Sequence, residues 1–569
     1  MRSFWAHRRT AVGVSVLAAV ALLSGCAVVP ISGPIEQGVA LAVGPQDQFI
    51  RVIARPPQPG MSAEEVVRGF QEATASADAG YTVARQYLTG IAASTWDPGA
   101  GVAIYDNAGL TFVGAGGTVA AEGGLAGSID GSGEYSVAAP DARLSAKYLL
   151  TRAFGEWRIS QPPIGLILGP GDIDRGFRSF NMYFFTRDFG TLVPTPVVIP
   201  VSEAGVATQL VRELLVGPPT WIAPSVRTGF PEGTRLAFDS VPVVDGVADV
   251  ALTAEVLQAD DATRQALSAQ LAWTLRQLPS ITSIRLTVSG QRVVVPGVGL
   301  VQPVSAWQQF DPNASPAPAL GYALNGKNVM SFDSSGQFSR VSGLKRELTS
   351  LAVDLQSANF AALSKDRKSL WVGLLADQAT LVRRYVGSEL SRPSWDRDGS
   401  LWVVDRGLGL LNVRDTVATQ IAVTGLPDGV ADSDILDVAV ARDGTRIALL
   451  IRRGTRVEPI VARVERTGGT VRVADPRRIE ASITDALDLA WHDSATLSIL
   501  GTSGASSLAV FDVGVGTSRV IPTRAPEGST TLAAQPDRPT LVGTGADIYR
   551  ASANSWTKLG PGTDPVYPG

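Results

Sequence analysis

The stretch PSWDRDGSLWVV (393–404) contains the pattern that decides the fold of the larger part of this chain. Two apolar segments flank a short turn of Asp, Gly and Ser, which is typical of a β-hairpin. Similar stretches recur about 30 to 50 residues apart, and several short strands in a repeat of this length predict a β-propeller. The other stretches are ALNGKNVMSF (323–332), FAALSKDRKSLWVG (360–373), VAVARDGTRIALLI (438–451), LAWHDSATLSILG (489–501) and LAAQPDRPTLVGTG (532–545). We expect a propeller of about six blades over residues 310–569.

The unit before the propeller, residues 179–302, combines helical and strand patterns. AGVATQLVRELLVGPP (204–219) has apolar residues at helical spacing and is stopped by Gly-Pro, and a second helix is predicted to start near Asp261. PVVDGVADVAL predicts a hairpin that turns at Asp245 and Gly246. The order of these phrases, with PEGTRL and IRLTVSG, resembles the GerMN domain of spore germination proteins. The resemblance implies an α+β fold and no catalytic centre.

Residues 61–178 predict a further α+β domain, with helices first and a mainly antiparallel sheet after them. AEEVVRGFQEATAS (63–76) and YTVARQYLT (81–89) predict two helices, and LTFVGA, GEYSVAA, ARLSAKYLLTRAF and GEWRISQPPIGLIL predict strands. GPGDIDRG (169–176) is interpreted as a linker rather than a calcium loop, because the EF-hand ligand pattern is absent. VARQYLT and GEWRI resemble NTF2-like domains.

The start of the chain predicts a lipoprotein signal peptide. Residues 1–10 contain three arginines and no acidic residue, and residues 11–23 are almost wholly apolar but too short to span a bilayer. Leu23, Ser24, Gly25 and Cys26 then match the bacterial lipobox. We therefore expect a signal peptide over residues 1–25, cleavage between Gly25 and Cys26, and a Pro- and Gly-rich linker over residues 26–60.

The lipobox resemblance implies that Cys26 carries S-diacylglycerol and an N-acyl chain, which would hold the chain on the extracytoplasmic face of the cell membrane. The formal net charge of the whole chain is −4, and it becomes more negative when the arginines of the signal are removed. No long basic run is present, so nucleic acid is not an expected partner. With a single cysteine, the chain cannot form an internal disulfide.

Few residues are available for catalysis. His492 is the only histidine after the predicted signal peptide, and it is interpreted as a turn residue of a propeller hairpin. A zinc site of His and Cys ligands cannot be assembled, and we predict no catalytic residue, metal or cofactor. The carboxylate clusters are Asp396 with Asp398, Asp432 with Asp434, and Asp485 with Asp488. In SWDRDGSLW (394–402) the spacing resembles an Asp-box, whose aspartate braces a hairpin turn.

A lipobox, an NTF2-like region, a GerMN domain and a propeller in this order resemble the LpqB family of actinobacterial lipoproteins. The resemblance implies binding to the extracytoplasmic domain of the sensor kinase MtrB of the MtrAB two-component system, with effects on cell-wall homeostasis and cell division. It assigns the partner contact to no particular residues. Two alternatives stay open: a lipoprotein that binds cell-wall glycan, and an envelope hydrolase that uses propeller carboxylates.

Overall fold

A computed structural model of the 569-residue chain describes residues 54–76, 79–200, 205–314, 320–553 and 555–569. The predicted signal peptide, the lipobox and the lipid attachment at Cys26 lie outside the described residues. Within the described ranges, no helix is both long enough and apolar enough to cross a bilayer. The described residues form one compact unit that contains all three predicted folded domains.

The first domain begins with short helices that pack on a sheet. The helices are α1 (Ala63–Thr74), α2 (Thr82–Arg85), α3 (Gly90–Thr95) and α4 (Pro170–Gly176). Helix α1 starts with a capping box, in which Ser62 Oγ accepts a hydrogen bond from the Glu65 amide and Glu65 accepts one from the Ser62 amide. Its buried face includes Val66, Val67 and Phe70, in agreement with the predicted helical spacing.

The sheet of this domain has seven strands in the order β6-β5-β3-β1-β7, with β2 and β4 also paired to β3. The strands are β1 (Gly101–Tyr105), β2 (Thr111–Ala115), β3 (Thr118–Asp130), β4 (Tyr135–Val137), β5 (Arg143–Ala153), β6 (Glu156–Gln161) and β7 (Leu166–Leu168). Its neighbouring strands are antiparallel except for β1 with β7, which are parallel. The predicted α+β class is confirmed, while the likeness to NTF2-like domains stays a prediction.

Two predictions for this domain are corrected. The helix expected over 81–89 is the single turn α2, because the backbone of Tyr87 and Thr89 hydrogen-bonds to Ile159 of β6 and leaves the helical path. The predicted linker 169–176 contains α4 instead. Pro170 stands at the start of α4, where a missing amide hydrogen costs nothing, and Asp172 pairs with Arg175 one turn later.

The GerMN-like domain contains two helices, α5 (Val206–Val216) and α6 (Asp261–Leu275), and two small sheets. One sheet has the order β10-β8-β9, and the other has the order β11-β12-β13-β14 with β15 paired to β13. The strands are β8 (Phe177–Thr186), β9 (Leu192–Pro200), β10 (Val226–Arg227), β11 (Val243–Val244), β12 (Val247–Leu252), β13 (Ser283–Val288), β14 (Gln291–Arg292) and β15 (Gln302–Pro303). Strand β8 runs across the predicted domain boundary at residue 178, and the domain boundaries stay predictions.

The sequence predicted the local structure of this domain well. Helix α6 starts at Asp261 as expected and connects the parallel strands β12 and β13, a connection that needs a crossover. Asp245 and Gly246 form the turn between β11 and β12 with φ angles of 51° and 77°. Both residues therefore have the positive φ that a two-residue hairpin turn requires.

The propeller has six blades of four main strands, which confirms the expected repeat architecture. Its strands are β16 (Gly321–Asn325), β17 (Asn328–Phe332), β18 (Phe338–Gly343), β19 (Leu348–Val353), β20 (Asn359–Ser364), β21 (Ser369–Leu374), β22 (Val382–Val386), β23 (Ser394–Trp395), β24 (Leu401–Asp405), β25 (Gly409–Arg414), β26 (Val417–Gln420), β27 (Val423–Thr424), β28 (Ile435–Val440), β29 (Arg446–Arg453), β30 (Arg456–Thr467), β31 (Thr470–Arg478), β32 (Asp485–Trp491), β33 (Thr496–Thr502), β34 (Ala509–Gly514), β35 (Val520–Arg524), β36 (Thr531–Ala533), β37 (Leu541–Gly543), β38 (Asp547–Ser552), β39 (Ser555–Pro561) and β40 (Thr563–Val566).

The last strand closes the ring of blades. Strand β40 pairs antiparallel with β16 and becomes the innermost strand of the first blade, whose other strands come from residues 321–343. The remaining blades each use consecutive strands, beginning with β19, β23, β28, β32 and β36. The first blade therefore joins segments separated by more than two hundred residues, which removes the free edges of an open array.

The six predicted repeats are not the same hairpin in every blade. ALNGKNVMSF (323–332) and FAALSKDRKSLWVG (360–373) form the second and third strands of their blades, whereas the four repeats after residue 390 form first and second strands. In the blade that contains residues 360–373, both hairpins were candidates. The equivalent turn lies at Asp354, which accepts hydrogen bonds from the Ala358 and Asn359 amides at 2.8 and 3.1 Å. Both hairpins of this blade carry an aspartate turn between apolar strands, so the pattern alone does not separate them.

The predicted Asp-box turn is confirmed by its hydrogen bonds. Asp396 Oδ2 accepts a hydrogen bond from Trp402 Nε1 at 2.8 Å and also pairs with Arg466. Asp398 Oδ1 accepts hydrogen bonds from the amide and hydroxyl of Ser400 at 2.9 and 2.7 Å. These two carboxylates brace the hairpin between β23 and β24.

Replacing Asp396 with alanine should destabilise the propeller by about 3 kcal/mol, because Arg466 and the Trp402 indole then lose their buried partner. About a third of the Arg466 side chain is exposed. The expected loss in free energy of unfolding therefore lies at the low end of the range for breaking a buried ion pair. Urea unfolding followed by tryptophan fluorescence measures the effect. Asp377→Ala is the control, because its pair with Arg340 is exposed on both sides and should contribute less than about 1 kcal/mol. Equal losses in the two variants would contradict this account.

Candidate functional site

The inner strands of the six blades surround a central channel. They are β40, β19, β23, β28, β32 and β36, and the middle of each contributes small or apolar residues to the channel wall. In a propeller the inner strand of each blade runs in the same direction, so equivalent positions of the repeat form rings around the axis. The composition of these rings decides what the channel can bind.

Near the start of the inner strands, one equivalent position in each blade forms what we call the channel ring. Its members, in blade order, are Asp564, Ser350, Arg392, Asp437, Asp488 and Thr531. Three carboxylates and one guanidinium therefore stand at one level of the channel. Arg392 interacts electrostatically with all three aspartates.

Arg392 ties three blades together at the channel ring. Its guanidinium forms an ion pair with Asp488 and donates hydrogen bonds to the carbonyl oxygens of Leu532 at 3.0 Å and Leu489 at 3.4 Å. Asp488 in turn accepts hydrogen bonds from the Leu532 amide at 2.6 Å and from the Leu489 amide at 2.8 Å. Both carboxylate oxygens are therefore engaged, so Asp488 acts as a clamp between blades.

Burial controls the protonation of the channel ring. Burial raises the pKa of Asp488 to about 7, Arg392 opposes this shift, and the nearby Asp437 adds to it. Burial also raises the pKa of Asp437, again against the effect of Arg392. Because Asp437 and Asp488 lie buried beside one guanidinium, the folded protein favours their protonated forms more than the unfolded chain does.

The opposite end of the inner strands carries a second, partly buried arginine. Arg442 follows the end of β28 and donates a hydrogen bond from Nη2 to the Pro568 carbonyl at 2.7 Å. Burial lowers the pKa of Arg442 to about 10. The Gly569 amide donates to the Val353 carbonyl at 3.1 Å, so the segment after β40 packs across this end of the channel.

His492 lies at a separate position, between the propeller and the GerMN-like domain. Its amide donates to the Thr496 carbonyl at 2.9 Å, which confirms the prediction that it belongs to a hairpin turn. Its side chain lines a polar cavity of about 430 Å³ together with Trp273, Arg276 and Asp493. Within the described ranges its Nδ1 has no hydrogen-bond partner, and no triad assembles around it.

Three family models match successive parts of the chain. A model described as the N-terminal domain of lipoprotein LpqB matches residues 56–174, and one described as sporulation and spore germination, named Germane, matches residues 181–294. A model described as the LpqB beta-propeller domain matches residues 329–568. The three matches follow the order of the three folded domains.

Similarity to known proteins extends over the whole chain. Lipoprotein LpqB of Thermobifida fusca is 30% identical, with 99% of each chain covered. This chain belongs to the LpqB lipoprotein family. LpqB of Streptomyces coelicolor is 28% identical over 97% of this chain and 96% of its own. Family membership makes the chain a membrane-anchored lipoprotein, and these relatives carry the name of a lipoprotein rather than that of an enzyme.

The GerMN prediction is confirmed by the family model. Among solved structures, the first GerMN domain of the sporulation protein GerM from Bacillus subtilis is 23% identical, with 22% of this LpqB-family chain and 94% of that chain covered, at a TM-score of 0.18. The assignment rests on the family match over residues 181–294 and on the order of helices and strands described above.

The carboxylate clusters predicted from the LpqB-family sequence do not assemble as facing pairs. Asp432 accepts a hydrogen bond from the Val423 amide of β27 at 3.1 Å, and Asp434 accepts one from the Ala431 amide at 2.9 Å. Asp485 is exposed, whereas Asp488 on the same strand is buried in the channel ring. The structure brings Asp488 to Asp437 instead, a residue that the sequence reasoning missed.

The sequence does contain a signal for the channel ring. LDVAV (436–440), LDLAW (487–491) and TDPV (563–566) each place an aspartate at the same position before apolar residues of an inner strand. A charged residue that repeats inside a buried strand indicates a shared polar site. Arg392 carries no such signal, because no other repeat has arginine at this position.

No group of three or more His, Cys, Asp or Glu side chains within the described ranges has a geometry that could hold a metal ion. Asp488 of the channel ring is paired with Arg392 and accepts hydrogen bonds from two backbone amides, and Asp437 accepts one from the Val438 amide. The arrangement therefore favours clamping of the propeller over ion binding or acid and base chemistry.

The channel ring predicts a specific dependence of stability on pH. A carboxyl group with a raised pKa in the folded state keeps a proton that the unfolded chain releases above about pH 4. Its contribution to stability is therefore full at low pH and is lost as the pH rises from about 4 to about 7. One such proton changes the free energy of unfolding by at most about 1.4 kcal/mol per pH unit.

Asp437→Asn should flatten this dependence, because it removes one of the competing negative charges while keeping the side-chain shape. Urea unfolding between pH 4.5 and pH 7.5 measures how the free energy of unfolding changes with pH. The slope of the variant is compared with the slope of the wild type. Asp485→Asn is the matched control, since Asp485 is exposed on the same strand as Asp488. An unchanged slope in Asp437→Asn, or the same change in both variants, would contradict the role given to the ring.

Proposed function

We propose that this LpqB-family lipoprotein acts on the extracytoplasmic face of the cell membrane, where it binds the extracytoplasmic domain of the sensor kinase MtrB and modulates MtrAB signalling. The observation that carries the proposal is the set of direct contacts that join the three domains into one compact unit. A protein that acts by contact presents a defined surface only if its domains keep one arrangement. The family resemblance supplies the identity of the partner and the link to cell-wall homeostasis and cell division.

Polar contacts at the junction support a fixed arrangement. Arg446 of the propeller donates to the Pro194 carbonyl of the GerMN-like domain at 3.4 Å. Trp221 of that domain donates from Nε1 to the Asp475 carbonyl of the propeller at 2.9 Å. The Val198 amide donates to the Gly133 carbonyl of the first domain at 2.8 Å, so each domain contacts the next.

The use of the propeller carboxylates favours binding over catalysis. Asp488 at the centre of the propeller is engaged by Arg392 and by backbone amides, Asp437 accepts a hydrogen bond from the Val438 amide, and Asp398 in its hairpin braces a turn. General acid and base work needs a carboxyl group that can reach a substrate in the right protonation state. A membrane tether at Cys26 would add to binding, because it confines the protein and the kinase to one surface and raises their effective concentration.

Modulation requires that binding favours one conformation of the kinase. A ligand shifts a conformational equilibrium only by the difference between its affinities for the two states. Binding and a change in autophosphorylation are therefore separate observations, and both belong to the proposal.

Two measurements test the proposal with the full chain. First, the Cys26→Ser form should bind the purified extracytoplasmic domain of MtrB saturably in solution. Second, the lipidated protein should change autophosphorylation of full-length MtrB when both are reconstituted in vesicles, and it should do so at lower total concentration than the Cys26→Ser form. The first result tests recognition, and the second tests modulation and the tether.

The alternatives predict different outcomes. Saturable binding to purified cell wall without binding to the kinase domain would contradict the proposal and favour a glycan-binding lipoprotein. Kinase binding without any change in autophosphorylation would contradict the modulating role. Turnover of wall fragments that is lost in Asp488→Asn would favour the envelope hydrolase instead.

A further inference from the structure

The hairpin between β5 and β6 extends beyond the rest of the sheet in the first domain, and we call its end, residues 151–158, the β5–β6 arm. Strand β5 pairs with β3 only as far as Leu149, and β6 is the edge strand, so the two strands of the arm pair only with each other. Phe154 and Gly155 form the turn at the tip, with φ angles of 53° and 87°. The arm therefore presents its turn to the surroundings.

Phe154 is an unfavourable residue for this turn. A two-residue turn of this type needs positive φ at both central positions, which glycine, asparagine and aspartate adopt most easily. In three other two-residue turns of the chain, the first position holds Gly116, Asp245 or Ser289. The geometry of the backbone therefore gives no reason for a bulky aromatic ring at the tip.

Packing within the protein gives no reason for the ring either. Three other aromatic residues with positive φ each contact another ring, in the pairs Tyr81–Trp96, Phe189–Phe185 and Trp307–Phe310. Phe154, by contrast, is fully exposed. A ring that is held at an unfavourable φ and buried against nothing does not stabilise the fold, which indicates a contact with another molecule.

The residues behind the ring suit the surface of a lipid bilayer. The Arg152 guanidinium lies 4.8 Å from the centroid of the Trp157 ring and donates from Nη1 to the Gly155 carbonyl at 2.7 Å. Arg158 donates from Nη1 to the Trp157 carbonyl at 2.7 Å. Because these hydrogen bonds go to carbonyl oxygens, both positive charges remain available to lipid phosphates. An apolar ring in front of arginines and a tryptophan is typical of segments that lie in the membrane interface.

The arm also lies beside the stretch of chain that enters the first domain. The Gly60 amide donates to Glu156 Oε2 at 2.9 Å, and Glu156 is the only carboxylate of the arm. The described chain begins at Ala54, and family membership makes the protein a membrane-anchored lipoprotein, with Cys26 as the predicted attachment. Such a tether keeps the first domain near the bilayer, so a weak second contact can be formed much of the time.

We propose that the β5–β6 arm docks on the bilayer that holds the lipid anchor, with the Phe154 ring inserted among the lipids and with Arg152 and Arg158 on anionic head groups. The inference rests on the membrane anchor and is independent of the kinase as a partner. A second point of attachment fixes which side of the first domain faces the membrane. The GerMN-like domain and the propeller are then presented in one orientation.

Fluorescence quenching tests this contact in the lipidated full-length protein, reconstituted in vesicles of phosphatidylcholine and phosphatidylglycerol. Lipidation occupies the thiol of Cys26, so the exposed Thr151, replaced as Thr151→Cys, supplies the only free thiol for an NBD fluorophore beside the tip. Nitroxide groups on the lipid head groups should quench this fluorophore. Phe154→Ser should lower the ratio of docked to undocked protein about 10-fold, because it removes the apolar area that the bilayer buries.

Two further variants separate docking from folding. Phe238→Ser is the matched control, since Phe238 is another exposed phenylalanine and lies in the GerMN-like domain, and it should leave the quenching unchanged. Phe154→Asn should lose the quenching as Phe154→Ser does. It should nevertheless keep or raise the melting temperature, because asparagine adopts positive φ more readily than phenylalanine.

The proposal is overturned if head-group nitroxides do not quench the label at position 151, or if Phe154→Ser and Phe238→Ser are quenched equally. It is also overturned if the label responds only to the added extracytoplasmic domain of MtrB, since the arm then contacts protein instead of lipid. A clear fall of the melting temperature in Phe154→Asn would likewise contradict it, because the ring would then serve the fold.

Discussion

The burial of the Arg446 guanidinium at the junction of the domains is the interaction on which the rest of the structure depends. Arg446 pairs with Asp443 where both side chains are almost fully buried, and it donates to the Ser494 carbonyl in the next blade at 2.6 Å and to the GerMN-like domain. Leaving such a charge without its partners costs about 3–5 kcal/mol. The hairpin turn that starts the fourth blade therefore also fixes where the GerMN-like domain lies against the propeller.

The propeller uses one repeated position in different ways. Apolar strand residues build the six similar blades. The channel-ring position near the start of each inner strand differs in polarity from blade to blade. Three blades place an aspartate there and one places Arg392. The Arg392–Asp488 ion pair joins the third and fifth blades across the channel, and the hydrogen bond from the Leu532 amide to Asp488 joins the fifth and sixth. This arrangement closes the propeller from the inside, while β40 closes it through the pairing of strands.

Local patterns predicted much of the fold. Helical spacing predicted α1, α5 and α6, and the repeat length predicted about six blades. The Asp245-Gly246 pair predicted a hairpin turn, and both residues have the positive φ that this turn requires. The failures involve contacts distant in sequence: the backbone of Tyr87 leaves its helix to pair with Ile159. The channel ring was harder to predict for the same reason. It forms only when the six blades close, so no single window of the sequence contains it.

A fixed arrangement of the three domains is the central claim, and a distance measurement tests it most directly. The chain has one cysteine, so a Cys26→Ser background allows spin labels at Val113→Cys in the first domain and Val417→Cys in the propeller, both on exposed strands. Pulsed electron paramagnetic resonance should give one narrow distance distribution that broadens in Arg446→Met and not in the exposed control Arg414→Met. Two results would contradict the account. One is a broad distance distribution in the labelled protein that keeps Arg446, and the other is a distribution that Arg446→Met leaves unchanged.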